Sequence, residues 1–241
     1  MAIQPVILAA GKGTRMGSSE LPKVMIPVKG KPMLSYLLDS LSHTELLPPV
    51  LVVGFRSEVV KDYFPKYQTI LQQEQLGTGH AMLICEEELK GKSQGYLVLA
   101  GDQPLWKPST LTELVRQHTE ALADITVGTL TTDQSGFTDF GRIIRNASGE
   151  VEAIREYKDC TEEERLINEY NLTLYCFDDC FIWPALHQIK SGNTQGEYYI
   201  TDVLAMALAE NKKVHTYRVE DWQETLGINT PEQLQTIESL L

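Results

Sequence analysis

Residues 7–16 read Ile-Leu-Ala-Ala-Gly-Lys-Gly-Thr-Arg-Met, and Leu21-Pro22-Lys23 comes shortly after. An apolar run leads into Gly11 and Gly13, with the cations Lys12, Arg15 and Lys23 on and just beyond the turn. Glycine permits backbone conformations closed to residues with a β-carbon, so the N–H groups of such a turn can face an anion. Lysine and arginine add the charge that a nucleoside triphosphate needs. The spacing differs from the dinucleotide fingerprint, which carries a third glycine. It also differs from the Walker loop, because Met16 stands where Gly-Lys would follow Gly11. Taken alone, the loop also fits a tight strand-to-helix turn with solvent-facing charges.

A second group is Val98-Leu99-Ala100-Gly101-Asp102-Gln103-Pro104. An aspartate just past a strand can supply one oxygen to Mg²⁺, whose shell is completed by substrate phosphate and water. It can equally cap a turn. A third group, Gln72-Gln73-Glu74-Gln75-Leu76-Gly77-Thr78-Gly79-His80, carries amides that can read a base edge. Here Gly77 allows close approach, Thr78 is placed to cap the next helix, and His80 is read as structural. Further on, Gly141, Glu156, Asn171, Tyr199, Thr201 and Asn229 are isolated polar or glycine positions. Individually they are weak signals: Glu156 suits sugar hydroxyls or a surface lysine, Asn171 a sugar or a turn, and Asn229 a metal or a turn. No nucleophile–histidine–acid arrangement emerges. The groups suit direct displacement at phosphorus, where catalysis is mainly positioning and charge stabilisation.

The elements that must hold these groups follow from apolar patterning. Strands are expected at Pro5–Ala9, Pro49–Val53, Gln68–Leu71, Tyr96–Ala100 and Asp124–Leu130. Helices are expected at Ser57–Phe64, Gly77–Glu88 and Pro108–Leu122. This alternation predicts an α/β chain with a doubly wound, mostly parallel sheet, whose ligands gather at the carboxyl ends of the strands. Later, Gly141–Arg145 and Glu150–Tyr157 read as a hairpin around Asn146–Gly149. Asn171–Phe177 and Val214–Val219 are strands, and Asp179–Lys190, Asp202–Glu210 and Pro231–Leu241 are helices. One unit is expected, with nucleotide-side residues up to about 135 and a smaller substrate-facing lobe from about 136 to 241.

Composition bounds the partners. The 241 residues are 42% hydrophobic and 22% charged with a net charge of −12. That balance suits a globular chain with a sizeable core. It disfavours nucleic acid, which needs a broad basic face. Cys85, Cys160, Cys176 and Cys180 contain no C-x-x-C pair, so reduced and mostly buried thiols are expected rather than zinc ligands. No run is apolar enough to span a bilayer and no signal peptide fits the N-terminus, so a cytoplasmic location is expected. Self-association stays open.

Together the segments LAAGKGTRM, LPKV, GKPML, QLGTGHAM, GDQPL, GRI, the Glu156 region, GEYYITD and GINT resemble the sugar-1-phosphate nucleotidyltransferases over nearly the whole chain. They look most like the uridylyltransferase domain of bacterial bifunctional UDP-N-acetylglucosamine pyrophosphorylase/glucosamine-1-phosphate acetyltransferases. The resemblance implies a Rossmann-like nucleotidyltransferase fold and Mg²⁺-dependent uridylyl transfer. UTP and N-acetylglucosamine 1-phosphate would give UDP-N-acetylglucosamine and pyrophosphate.

It also implies roles for particular residues. Leu8, Ala9, Ala10 and Gly11, with Gly13, would cradle uridine and phosphates. Arg15 and Lys23 would act as catalytic cations, and Gln72, Gln75, Gly77 and Thr78 would face uracil. Asp102, next to Gly101, would join Asn229 in holding Mg²⁺. Gly141, Glu156 and Asn171 would bind the sugar, with Tyr199 and Thr201 nearby.

Three departures from the family pattern stand out. Ala100 replaces a usual tyrosine, Leu172-Thr173 replaces a usual Thr-Gly, and Met25-Ile26-Pro27 replaces a segment that often holds a histidine. Leu172 is expected beside the sugar, reshaping its pocket. The alternatives are a different sugar phosphate or nucleotide, or a nucleotide-sugar binding protein without turnover. No hexapeptide-repeat acetyltransferase domain follows, so acetyl transfer is not expected.

Overall fold

The computed structural model describes residues 2–13, 16, 20–134, 137 and 140–241. Arg15, assigned above to the phosphates, lies outside the described residues.

In chain order the described elements begin with β1 (Ile3–Ala9), β2 (Pro27–Val28), β3 (Lys31–Pro32), α1 (Met33–Ser42), β4 (Val50–Val53), α2 (Ser57–Tyr63) and β5 (Thr69–Leu71). There follow α3 (Thr78–Leu83), α4 (Glu86–Leu89), β6 (Gly95–Ala100), α5 (Pro108–Ala121), β7 (Ile125–Thr131), β8 (Arg142–Arg145) and β9 (Val151–Arg155). The last are α6 (Glu162–Arg165), β10 (Glu169–Asp178), α7 (Asp179–Leu186), α8 (Val203–Ala209), β11 (Val214–Arg218) and α9 (Pro231–Leu240).

The main sheet runs β11-β7-β10-β6-β1-β4-β5, with β8 and β9 branching from β10. Pairings β5–β4, β4–β1, β1–β6 and β7–β11 are parallel, as the strand–helix alternation predicts. β10 is the exception, antiparallel to both β6 and β7. Its reversal matters for function. In the parallel strands β1, β4, β5 and β6 the carboxyl ends share one rim, with Leu8 paired to Ala100 and Ala9 to Val53. An antiparallel β10 brings its own start to that rim, because Leu174 pairs with Leu99.

Alternation along the central strands feeds two cores, one on each face of the sheet. Ile7, Leu51, Leu97 and Leu99 enter the core under α1, α5 and α9. Val6, Val52, Tyr96 and Val98 enter the core under α3, α7 and α8. The helix α1 is absent from the alternation read above, although Met33, Leu34, Leu37, Leu38 and Leu41 bury one face at helical spacing.

The expected helix Gly77–Glu88 is two, α3 and α4, divided at Ile84-Cys85. The expected hairpin forms: Asn146 Oδ1 accepts from Ser148 N and Glu150 N, each at 3.0 Å, and Gly149 takes φ +83°. α9 starts at a capping box, with Thr230 and Gln233 satisfying each other's backbone N–H and Pro231 in the first turn. All four cysteines are free thiols; Cys180 alone is exposed. Among the described residues no helix is long and apolar enough to cross a membrane.

Candidate active site

The rim where β1 and β6 end and β10 begins carries two adjoining cavities of 260 and 250 Å³. The first is lined by Leu8, Ala9, Ala10, Gly11, Lys23, Gln72, Gln75, Gly77, Thr78 and Asp102. These are ten of the residues assigned above to nucleotide and catalysis. The second is lined by Gly141, Glu156, Asn171 and Asn229, among others. Thr78, Ala100, Asp102 and Thr173 line both cavities and form the neck between them.

Lys23 holds the centre. It sits in a short helical turn after Pro22, and its Nζ pairs with Asp102 and donates to Asn229 Oδ1 at 2.6 Å. Lys23 N donates to Gly11 O at 3.3 Å. A β-carbon on Gly13, whose φ is +70°, would come within 3.0 Å of Lys23 Cβ. The glycine loop therefore wraps the lysine backbone, and Gly13 serves Lys23 rather than lining a cavity. Gly101 is similarly structural: its N–H donates to Leu8 O at 3.0 Å, and a β-carbon there would meet Val24 and the β1 backbone. Asn229 reaches the site because Ile228 N donates to Asp102 O at 2.9 Å while Asn229 N donates to Gln233 Oε1 at 2.7 Å.

The Gln72–Thr78 segment, expected to face a base, is tightly held. Gln72 is buried, and its Nε2 donates to Gly77 O at 3.1 Å, which fixes the amide orientation because a carbonyl only accepts. The same Nε2 lies 3.1 Å from His80 Nδ1, on α3. Gln75 Nε2 donates to Gln72 O at 3.2 Å. Thr78 departs from its expected role. Gly77 occupies the capping position of α3, and Thr78 Oγ1 accepts from Ile200 N at 3.0 Å, tying the loop to the second half of the chain.

In the second cavity, Asn171 N donates to Gly141 O at 2.9 Å, so the two residues face each other. Tyr175 hydroxyl donates to Asn171 Oδ1 at 2.8 Å. Glu156 accepts from Thr201 Oγ1 at 3.3 Å, and burial raises its pKa above the ordinary carboxylate value. Glu156 lines the second cavity and also a neighbouring hollow of 510 Å³, where Tyr199 and Thr201 lie. Those two residues are thus behind Glu156 and do not line the second cavity.

Leu172, expected beside a sugar, lines neither cavity. Its side chain is fully buried in the core, and only its carbonyl is used, accepting from Gln103 Nε2 at 3.2 Å. The cause is a bulge in β10: Asn171 pairs with Thr129 and Tyr175 with Val127, which turns Thr173 to the neck instead. Sequence reasoning also missed Gln103, a buried amide that joins Leu172 O to Thr225 O and accepts from Trp106 Nε1. A buried amide after Gly-Asp was the available signal.

Residues 5–173 match the MobA-like NTP transferase domain. The chain belongs to that family. As an NTP transferase domain, it is a nucleotidyltransferase, and it resembles several curated proteins throughout its length. It is 42% identical over 237 residues to the bifunctional protein GlmU of Enterococcus faecalis, covering 98% of this chain and 51% of the relative. It is 41% identical over 235 residues to the bifunctional protein GlmU of Geotalea daltonii, covering 96% and 51% respectively. The chain thus spans about half the length of the curated relatives it matches. The NTP transferase fold is shared with a UDP-glucose pyrophosphorylase solved with UDP-glucose, at TM-score 0.81 and 18% identity, covering 100% of this chain and 98% of that one. A putative glucose-1-phosphate thymidylyltransferase from Bacillus anthracis aligns at TM-score 0.78 and 20% identity, covering 99% and 95%.

Proposed function

We propose that this NTP transferase domain moves UMP from UTP to N-acetylglucosamine 1-phosphate, releasing pyrophosphate. One observation carries the reading: two cavities of similar size meet at a neck that holds Asp102, beside the Lys23–Asn229 contact. Such a pair of cavities suits a donor and an acceptor whose reacting phosphates meet at a cationic centre. The GlmU likeness over nearly the whole chain supports the sugar and the nucleotide.

In this reading Leu8–Gly11 lie along the nucleotide, and Gln72 offers its carbonyl oxygen to a base N–H. Lys23 neutralises charge on the triphosphate as the acceptor phosphate oxygen attacks the α-phosphorus and pyrophosphate leaves, and Arg15 is proposed to assist. Glu156 accepts sugar hydroxyls, and Asn171 Nδ2 donates to the acceptor.

Asp102 and Asn229 also fit Mg²⁺. Both aim oxygens at the one Lys23 ammonium, so their lone pairs converge on a single positive centre. A carboxylate and an amide oxygen form a hard donor set that phosphate oxygens and water can complete. Bound there, Mg²⁺ would screen phosphate charge. The test is pyrophosphate release from UTP with N-acetylglucosamine 1-phosphate, with and without Mg²⁺. Release that needs both substrates and the metal is expected; none under saturating conditions would overturn the reading.

A further inference from the structure

We infer that Thr173 positions the acceptor, donating from its hydroxyl to the acceptor phosphate at the neck between the two cavities. The inference rests on the two-substrate reading above. Thr173 is one of the four residues that line both cavities. Among the described residues, the neck is the only part of the acceptor cavity shared with the nucleotide cavity, so the acceptor's reacting phosphate belongs there.

The backbone conformation of Thr173 is unusual for its residue type. Its φ is +51°, in the left-handed region that β-branched residues avoid. Such a conformation persists only where the surroundings impose it. Here both flanks are pinned. On one side, Tyr175 hydroxyl holds Asn171 Oδ1 and Gln103 Nε2 holds Leu172 O. On the other, Leu174 packs over Gly128, where a β-carbon would come within 2.9 Å of Leu174 Cβ. Three residues of β10, Leu172 to Leu174, thus oppose the single Gly128 of β7.

The strain serves no internal bond. Among the described residues, no hydrogen bond of the Thr173 hydroxyl to the protein is found, although the nearby Thr78 and Thr201 hydroxyls are both engaged. A hydroxyl left free in a neck beside Lys23 and Asp102 is suited to donate to a phosphate oxygen. Ala100, also at the neck, contributes only a methyl group and leaves space for the acceptor.

The experiment compares wild type with Thr173→Gly and Thr173→Ser, following Tm together with KM for UTP and for N-acetylglucosamine 1-phosphate. Glycine accepts the positive φ, so Thr173→Gly keeps or raises Tm. Its acceptor KM is expected to rise about tenfold to a hundredfold, the worth of one hydrogen bond to a charged group, with UTP KM within about twofold. Thr173→Ser, which keeps the hydroxyl, restores the acceptor KM. A wild-type enzyme that turns over while the glycine variant keeps its acceptor KM would overturn the role of Thr173 alone. Equal changes in both variants, or an equal shift in UTP KM, would do the same. A wild-type chain that releases no pyrophosphate with any sugar phosphate would overturn this inference together with the reading on which it rests.

Discussion

Lys23 Nζ donates to Asn229 Oδ1 at 2.6 Å across 206 residues of sequence, and the same ammonium pairs with Asp102. One cation therefore closes a ring through the loop after β1, the end of β6 and the segment that opens α9. Each partner is positioned by its own backbone: Lys23 by Gly11 and Gly13, Asn229 by Gln233, and Asp102 by the bond from Ile228 N. The three side chains stand or fall together as a charge-handling unit.

If that unit acts in the transition state, Lys23→Ala lowers kcat about a hundredfold or more, the scale seen when a preorganised cation or donor is removed. Its Tm moves far less than its turnover. Steady-state pyrophosphate release checks this, and unchanged kcat would contradict it.

Asp102→Ala and Asn229→Ala should each raise the Mg²⁺ concentration needed for half-maximal activity. Direct binding of Mn²⁺, followed by electron paramagnetic resonance with UTP present, gives a readout independent of turnover. Wild-type Mn²⁺ affinity in both variants would remove the pair from the metal role.

Gly77→Ala strikes the first cavity, proposed to take the nucleotide, through the backbone. The added β-carbon would lie 2.5 Å from Tyr198 O and 2.9 Å from Tyr198 N, at a φ of +110°. Neither neighbour is a flexible side-chain end, so the loop must shift. A stability loss of about 1–3 kcal/mol is expected, with a larger rise in KM for UTP than for the acceptor. Thermal unfolding and paired KM values test it.

Burial raises the Glu156 pKa above its ordinary value of 4.5, with the Thr201 hydroxyl partly offsetting it. The folded carboxyl therefore keeps its proton to a higher pH than the unfolded one. Its stability contribution is fully present below the ordinary value and is lost as pH climbs through the raised one. Glu156→Gln should accordingly gain Tm relative to wild type as the pH rises above 4.5, while raising KM for the acceptor. A Tm difference that is flat with pH would contradict it.

His118 has the opposite sign. Its buried imidazole, 2.9 Å from Thr126 Oγ1, is held down to about 4 from 6.5, chiefly by burial. Stability is present above 6.5 and falls as pH drops from 6.5 towards 4, because the unfolded histidine takes up the proton first. His118→Gln should flatten the acid loss of Tm in that window. An unchanged slope would remove His118 from the acid response.

Much of the fold was legible because strand burial follows composition: Val50–Val53 and Tyr96–Ala100 are apolar on both faces, as parallel strands between helix layers must be. The direction of β10 was not legible, since Asn171–Phe177 carries the same apolar signal whichever way it runs. That direction decides what the neck contains. Site residues on the early loops were readable from glycine and charge spacing, and Lys23, Asp102 and Gln72 do converge. Residues whose role depends on a bulge or a long-range bond were not: Leu172 exchanges places with Thr173, and Gln103 acts through Leu172 O and Thr225 O. Tyr199 and Thr201 lie near Glu156 but behind it, a distinction that spacing does not carry.

The most direct test of the two-cavity account is a matrix of nucleotides against sugar 1-phosphates, with pyrophosphate release measured at saturating Mg²⁺. The account predicts the highest kcat/KM for UTP with N-acetylglucosamine 1-phosphate, and no release from either substrate alone. A higher kcat/KM for another pair, or tight UTP binding with no release from any pair, would contradict it.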